Sequence, residues 1–186
     1  EGLRNMTHKG WSQTGAVSVY ESEVTFNHCR FVSNQSEDGL NIVRSIFTLS
    51  NCFIGNTFSD GFDSDFSTGT LENCVFERTG NDAMDFSGGN IYVTSAYVDG
   101  AGDKGIRFGE RCKGVVVKVD IRNSVVGVAS KDFSDATLNH LVLDNVQEGL
   151  LAYQKKPEFG PATMTIHRLD DTGVGQLYRI QEGSTV

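Results

Sequence analysis

A fixed period of 22 residues constrains this chain more than any other feature. The phrases EDGLNIV, SDGFDSD, NDAMDFS, DKGIRFG, VGVASKD and EGLLAYQ place Gly39, Gly61, Ala83, Gly105, Gly127 and Gly149 in one column. Each step is 22 residues, from 61 − 39 to 149 − 127. Regular repeats of this length mark solenoids, in which a unit too small to bury its own apolar face buries it against its neighbour.

The residues around that column set the secondary structure. The next position reads Leu40, Phe62, Met84, Ile106, Val128 and Leu150, all apolar, and the one after it is mostly polar. That alternation is a strand pattern. About ten residues on, FTLSNCFI, GTLENCVF, NIYVTSAYV, GVVVKVDI and ATLNHLVL form a second cluster rich in Val, Ile, Phe and Thr, again strand-forming. No apolar stripe at helical spacing is present, and the Leu and Asn consensus of leucine-rich repeats is missing. The reading is an all-β chain, a right-handed parallel β-helix (solenoid) of about seven 22-residue coils.

With 186 residues, 21 glycines and 12 phenylalanines, the chain reads as one elongated domain with a narrow core. Regular coils span about 15–153, an irregular loop 154–163, and a terminal strand and tail 164–186. The N-terminal stretch is too polar for a signal peptide, and no run is long enough to insert in a membrane. The expectation is a fragment of a longer chain with flanking domains. A net charge of −8 argues against nucleic acid, which needs clustered Lys and Arg.

Cys29, Cys52, Cys74 and Cys112 lack metal-ligand spacing. Cys52 and Cys74 follow Asn in the same phrase and read as stacked, buried thiols, whereas Cys112, in the polar GERCKG, reads as a reactive turn thiol. His28 and His140 read as structural residues of core strands. NMT at Asn5 and NQS at Asn34 match the glycosylation sequon weakly.

The acidic phrase Asp-x-x-Asp recurs one repeat apart. Outward positions stack Asn41, Asp63, Asp85 and Arg107 on four rungs, with Asp65, Ser87 and Lys131 two residues further on. A file of Asp38, Asp60, Asp82 and Lys104 precedes them at the turn. Rungs lie about 4.8 Å apart, and like charges at that spacing repel. Compensation must come from Lys104 and Arg107, from a bound cation, or from protonation of a carboxyl. Asp60, Asp63, Asp65, Asp82 and Asp85 are the oxygen donors a weak Ca²⁺ site would use.

The coil pattern resembles the pectate-lyase-like superfamily of right-handed β-helices. More narrowly, SDGFDSDFSTG, NDAMDFSGG, GDKGIRFGE, GVASKDFS and AYQKKPEFGP resemble β-helix modules of bacterial secreted or surface proteins, some carried beside spore-coat-protein-H-type kinase domains. The resemblance covers nearly the whole chain and implies a secreted or cell-surface location and a polysaccharide partner. No Gly-rich phosphate loop with a partner Lys is present. Set beside the polygalacturonase pattern, Asp60, Asp82, Lys104 and Lys131 fall in matching phase, but Asn81, Lys104 and Ala129 stand where an acid, a histidine and an arginine are needed. A hydrolase lacks its pair of carboxyls. The resemblance to polysaccharide lyases implies Lys104, Arg107 and Lys131 as catalytic candidates, and Asn41, Arg107 and Tyr153 as substrate contacts. The alternative is a non-catalytic spacer or adhesion solenoid.

Overall fold

The computed structural model describes residue 4, residues 6–8 and residues 10–186, none of them helical. Asn5 of the first sequon lies outside the described residues. The chain winds as a right-handed parallel β-helix. Strands Gly15–Tyr20, Asp38–Val43, Asp60–Asp65, Met84–Ser87, Lys104–Gly109, Val126–Lys131, Glu148–Tyr153 and Gln176–Ile180 stack in that order into one parallel sheet of eight, the floor sheet below. An eleven-stranded sheet covers the rest of the coil. Its long strand Asn90–Ala101 pairs first with Thr68–Glu72 and then with Cys74–Thr79, so this sheet bends around two faces.

The 22-residue column survives as register. Leu40, Phe62, Met84, Ile106, Val128 and Leu150 are consecutive pairing partners, and all are fully buried. Beside them Phe47, Phe62, Phe86 and Phe108 run along the core with centroid separations of 5.3, 5.8 and 5.6 Å. Phe86 lies over Phe108 in register, whereas Phe47 and Phe62 meet edge to face across the coil from the two sheets, so the aromatic file is built by packing between faces as well as by stacking.

Corners repeat as well. Asn51, Asn73, Asn123 and Asn145 all take positive φ, near +50°, a region that asparagine tolerates better than most residues. Their amides chain from coil to coil, Asn73 Nδ2 to Asn51 Oδ1 at 3.4 Å and Asn145 Nδ2 to Asn123 Oδ1 at 2.7 Å. The turn sends Cys52 and Cys74 inward, where both are buried and free.

Three sequence expectations change here. Cys112 is fully buried, not a turn thiol. It falls in a corner column with Ser67 and Ser134, also buried, because the short turn from Gly109 O to Cys112 N folds the side chain inward. His28 lies in a corner at φ +55° and is exposed, while His140 pairs with Asp170 at 2.8 Å. The terminal strand becomes a further coil, Thr163–Ile166, Leu169–Thr172 and Gln176–Ile180. Glu148 pairs with Gln176, 28 residues on (176 − 148). The excursion at 154–162 interrupts the period and hides that coil from a count in steps of 22.

Candidate functional site: an acidic floor on one sheet

Strict alternation fails at the small-residue column, and this assembles the site. Asp38 pairs with Asp60 and Leu40 with Phe62, while the glycines between them are skipped. A Cβ on Gly61 would meet Ala83 O at 2.7 Å, Thr79 Cγ2 at 3.0 Å and Ile54 Cγ2 at 3.4 Å, so this position faces the interior, as does Phe62 after it. Only a very small residue fits there. Asp60 and Asp63, three residues apart, therefore share the outward side, and so do Asp82 and Asp85. Both members of the second pair reach one guanidinium: Arg107 Nη1 lies 2.7 Å from Asp85 Oδ2 and 3.5 Å from Asp82 Oδ2.

Outward does not mean exposed. Asn41, Asp60, Asp82, Asp85 and Ser87 are buried, while Asp63 and Asp65 keep partial access. Asp60 Oδ1 accepts from Asp82 N at 2.9 Å and from Asn81 Nδ2 at 2.6 Å, and Asp82 Oδ1 accepts from Lys104 N at 3.0 Å. Asp60 and Asp82 thus each cap a backbone N–H of the next rung, a structural reason for these two positions. Asp63 and Asp85 have no such task. Asn41 Nδ2 donates to Asp63 Oδ2 at 3.2 Å, and the other oxygens, Asp63 Oδ1 and Asp85 Oδ1, are buried without a hydrogen-bond partner, as is Asp38 Oδ2.

Desolvation dominates the protonation of this face. Burial pushes Asp38 and Asp85 up to about 7 and Asp63 up to about 10, against an ordinary 3.8. Asp65 and Asp85 add repulsion at Asp63. Burial also raises Asp60, Asp65 and Asp82. Burial works against the charge of Lys104, but Asp82 and Asp103 outweigh it and hold its ammonium above the usual range. Lys104 Nζ bonds Asp103 and reaches Asp82 Oδ1 at 3.5 Å.

Lys131 lies beyond this cluster and is 1 % exposed. Its Nζ lies 3.1 Å from Glu110 Oε1 and 3.3 Å from Asp132 Oδ2. Lys156 joins at 2.8 Å from Glu110, and Asp132 Oδ1 accepts from the backbone N of Lys155 and Lys156, which ties the 154–162 excursion down. Burial opposes ionisation of Glu110, yet bonds from Lys156, Ser87 and Lys131 bring it down to about 2. The one sequence mark of Glu110 and Asp132 is that they lie one 22-residue step apart (132 − 110). Asn34 is likewise structural, 5 % exposed, donating to Ser36 O and accepting from Phe58 N.

Further along the axis the outward face turns apolar. Val126, Ala129 and Leu151 form a small cluster with Val125 and Tyr153 packed on it. A cavity of about 420 Å³ lined by Tyr153, Arg179, Ile180 and Gln181 opens there. Burial raises the Tyr153 phenol, and the charges of Lys104 and Arg107 act on it in the opposite sense. The floor therefore runs from carboxyls through Lys104 and Arg107 to an apolar platform with one phenol.

Ca²⁺ takes six to eight oxygens, and the carboxyls supply the right donor type. Among the described residues, however, no three His, Cys, Asp or Glu side chains converge closely enough to hold a metal ion. Compared with family models, curated proteins and solved structures, the chain matches none. Fold and site define a class only: a right-handed parallel β-helix carrying a semi-buried acidic floor on one sheet.

Proposed function

We propose that this chain is an extracytoplasmic, polysaccharide-binding β-helix module, secreted or displayed on a cell surface beside flanking domains, in the manner of the pectate-lyase-like superfamily and the bacterial surface modules it resembles. The observation that carries this reading is the continuity of Asp63, Asp65 and Asp85 with the Tyr153 cavity along one sheet. Sugars present hydroxyls, which carboxyls accept, and apolar ring faces, which a phenol over an aliphatic platform covers.

Binding is favoured over lyase chemistry because the basic residues are committed. A proton-abstracting Lys needs a lowered pKa, whereas Lys104 is held high by Asp82 and Asp103. Arg107 is tied to Asp85, and Lys131 is enclosed by Glu110 and Asp132. A divalent cation is the second reading, favoured by the unpartnered Asp63 Oδ1 and Asp85 Oδ1 on adjacent rungs. It requires side-chain rotation to gather enough donors, and a rise in Tm with millimolar Ca²⁺ that Asp63→Ala removes would support it.

Affinity electrophoresis through gels containing neutral, acidic or amino polysaccharides tests the principal reading. The expected result is retardation in at least one gel, weakened about tenfold by Tyr153→Ala, about 1.4 kcal/mol of binding. Unaltered mobility in every gel would leave the spacer reading in its place.

A further inference from the structure

Asp65, Ser87, Gly109, Lys131 and Tyr153 end successive strands of the floor sheet, and the corner beyond them carries exposed aromatic rings. Phe66 and Phe133 turn this corner at φ +50° and +62°, a conformation that strains a bulky residue. Yet they are 60 % and 47 % exposed, so core burial does not offset the strain. Each ring lies over a glycine of the adjoining rung, where a Cβ would strike it: Gly88 beneath Phe66, at 2.8 Å from Cδ1, and Gly160 beneath Phe133. Gly160 belongs to the 154–162 excursion, which also sets Phe159 against Phe133 at a centroid separation of 6.5 Å. Arg111, one rung before Phe133, is exposed, and its guanidinium carbon lies 5.6 and 5.7 Å from those two centroids. Among the described residues, no ion pair reaches Arg111. Strained backbone under solvent-facing rings marks a surface kept for contact rather than for folding.

We infer that this corner is a stacking edge for a neutral, extended glycan of equatorially linked pyranoses, which runs along the solenoid axis with ring faces on Phe66 and Phe133 and reaches Tyr153. This rests on the polysaccharide reading above and deepens it. Phe66 and Phe133 stand three rungs apart, roughly 14 Å at about 4.8 Å per rung, and Tyr153 ends the strand after Lys131. Rings so spaced do not form the contiguous apolar centre of a protein interface. They suit a polymer that repeats one apolar face along its length. A pyranose with equatorial substituents keeps its C–H bonds on its two faces, and those faces lie on aromatic rings; an axial hydroxyl would lift the sugar off. A net charge of −8 disfavours a polyanion. Between the two platforms Arg111, which has no ion pair, offers five N–H donors to ring and hydroxyl oxygens.

The test is isothermal titration of the intact protein with cellohexaose, cellobiose, maltohexaose, tetragalacturonate and a proline-rich peptide. Cellohexaose should bind about tenfold more tightly than any of the others, because it alone is neutral, flat and long enough to bridge the two platforms. Phe66→Ala and, separately, Phe133→Ala should each remove most of the gain of cellohexaose over cellobiose, while the far-UV spectrum and Tm show a folded protein. Parental affinity for cellohexaose in both variants, or equally tight binding of maltohexaose or tetragalacturonate, would overturn the stacking edge and leave the polysaccharide reading standing. Tighter binding of the peptide than of any sugar would make the corner a peptide track and overturn the inference too. If cellohexaose fails while one of the polysaccharide gels retards the protein, only the edge falls. If no sugar binds and no gel retards it, both fall.

Discussion

Arg107 Nη1 lies 2.7 Å from Asp85 Oδ2, one rung away, while Arg107 Nε and Asp85 Oδ1 are both buried without hydrogen-bond partners. The pair is strongly attracted but incompletely satisfied. Such a pair is weak evidence for stability, because desolvation offsets much of the attraction, yet removing one partner strands the other.

Arg107→Met should therefore destabilise the fold by about 3–5 kcal/mol, the usual cost of leaving a buried charge uncompensated. Adding Asp85→Asn to that variant should recover a large part of the loss. Denaturant titrations of the two single variants and the double variant measure the coupling. Additive losses would mean that Arg107 acts through packing instead.

Stability should peak in mildly acidic solution. Asp38, Asp63 and Asp85 have raised folded values, so the folded chain holds more protons than the unfolded one above the ordinary 3.8. Their effect is to lower stability as pH climbs from there through about 7, and further towards 10 for Asp63. Glu110 has the opposite sign: its contribution is present above its ordinary 4.5 and is lost as pH falls towards 2. The Tm should be highest near pH 4–5 and should fall between about pH 5 and 8. Asp63→Asn should raise Tm at about pH 8 and have little effect near pH 4. A Tm that rises steadily to pH 8 would contradict this account of the floor.

The cysteines should divide by burial. Cys52, Cys74 and Cys112 are buried, and burial pushes Cys74 up to about 11 and Cys112 up to about 12. Native alkylation followed by mass spectrometry should label Cys29 first and the other three only after unfolding. Rapid labelling of Cys112 would show that its corner opens in solution.

Cys112→Ser should cost only about 1 kcal/mol, because Ser67 in the same corner column is buried with its hydroxyl donating to Ile42 O at 3.2 Å and Asp65 O at 3.0 Å, a pattern the new hydroxyl can copy. Cys74→Ser, on an apolar stretch beside Leu49 and Phe76, should cost more. Thermal unfolding of the two variants compares them directly.

The 22-residue period, the strand alternation and the apolar column after each small residue determined the coil, the stacking and the register, since in-register parallel pairing carries a sequence period directly into space. They also put Asn41, Asp63, Asp85 and Arg107 on one file. Tertiary structure alone decided three things. Gly61 and its column face inward, which breaks the alternation and brings Asp60 and Asp82 onto the side of Asp63 and Asp85. The outward carboxyls are desolvated, and a charge count cannot register that burial. Finally, Glu110, Asp132 and the 154–162 excursion gather around Lys131, because an insertion folds back onto the coil by contacts that no repeat encodes.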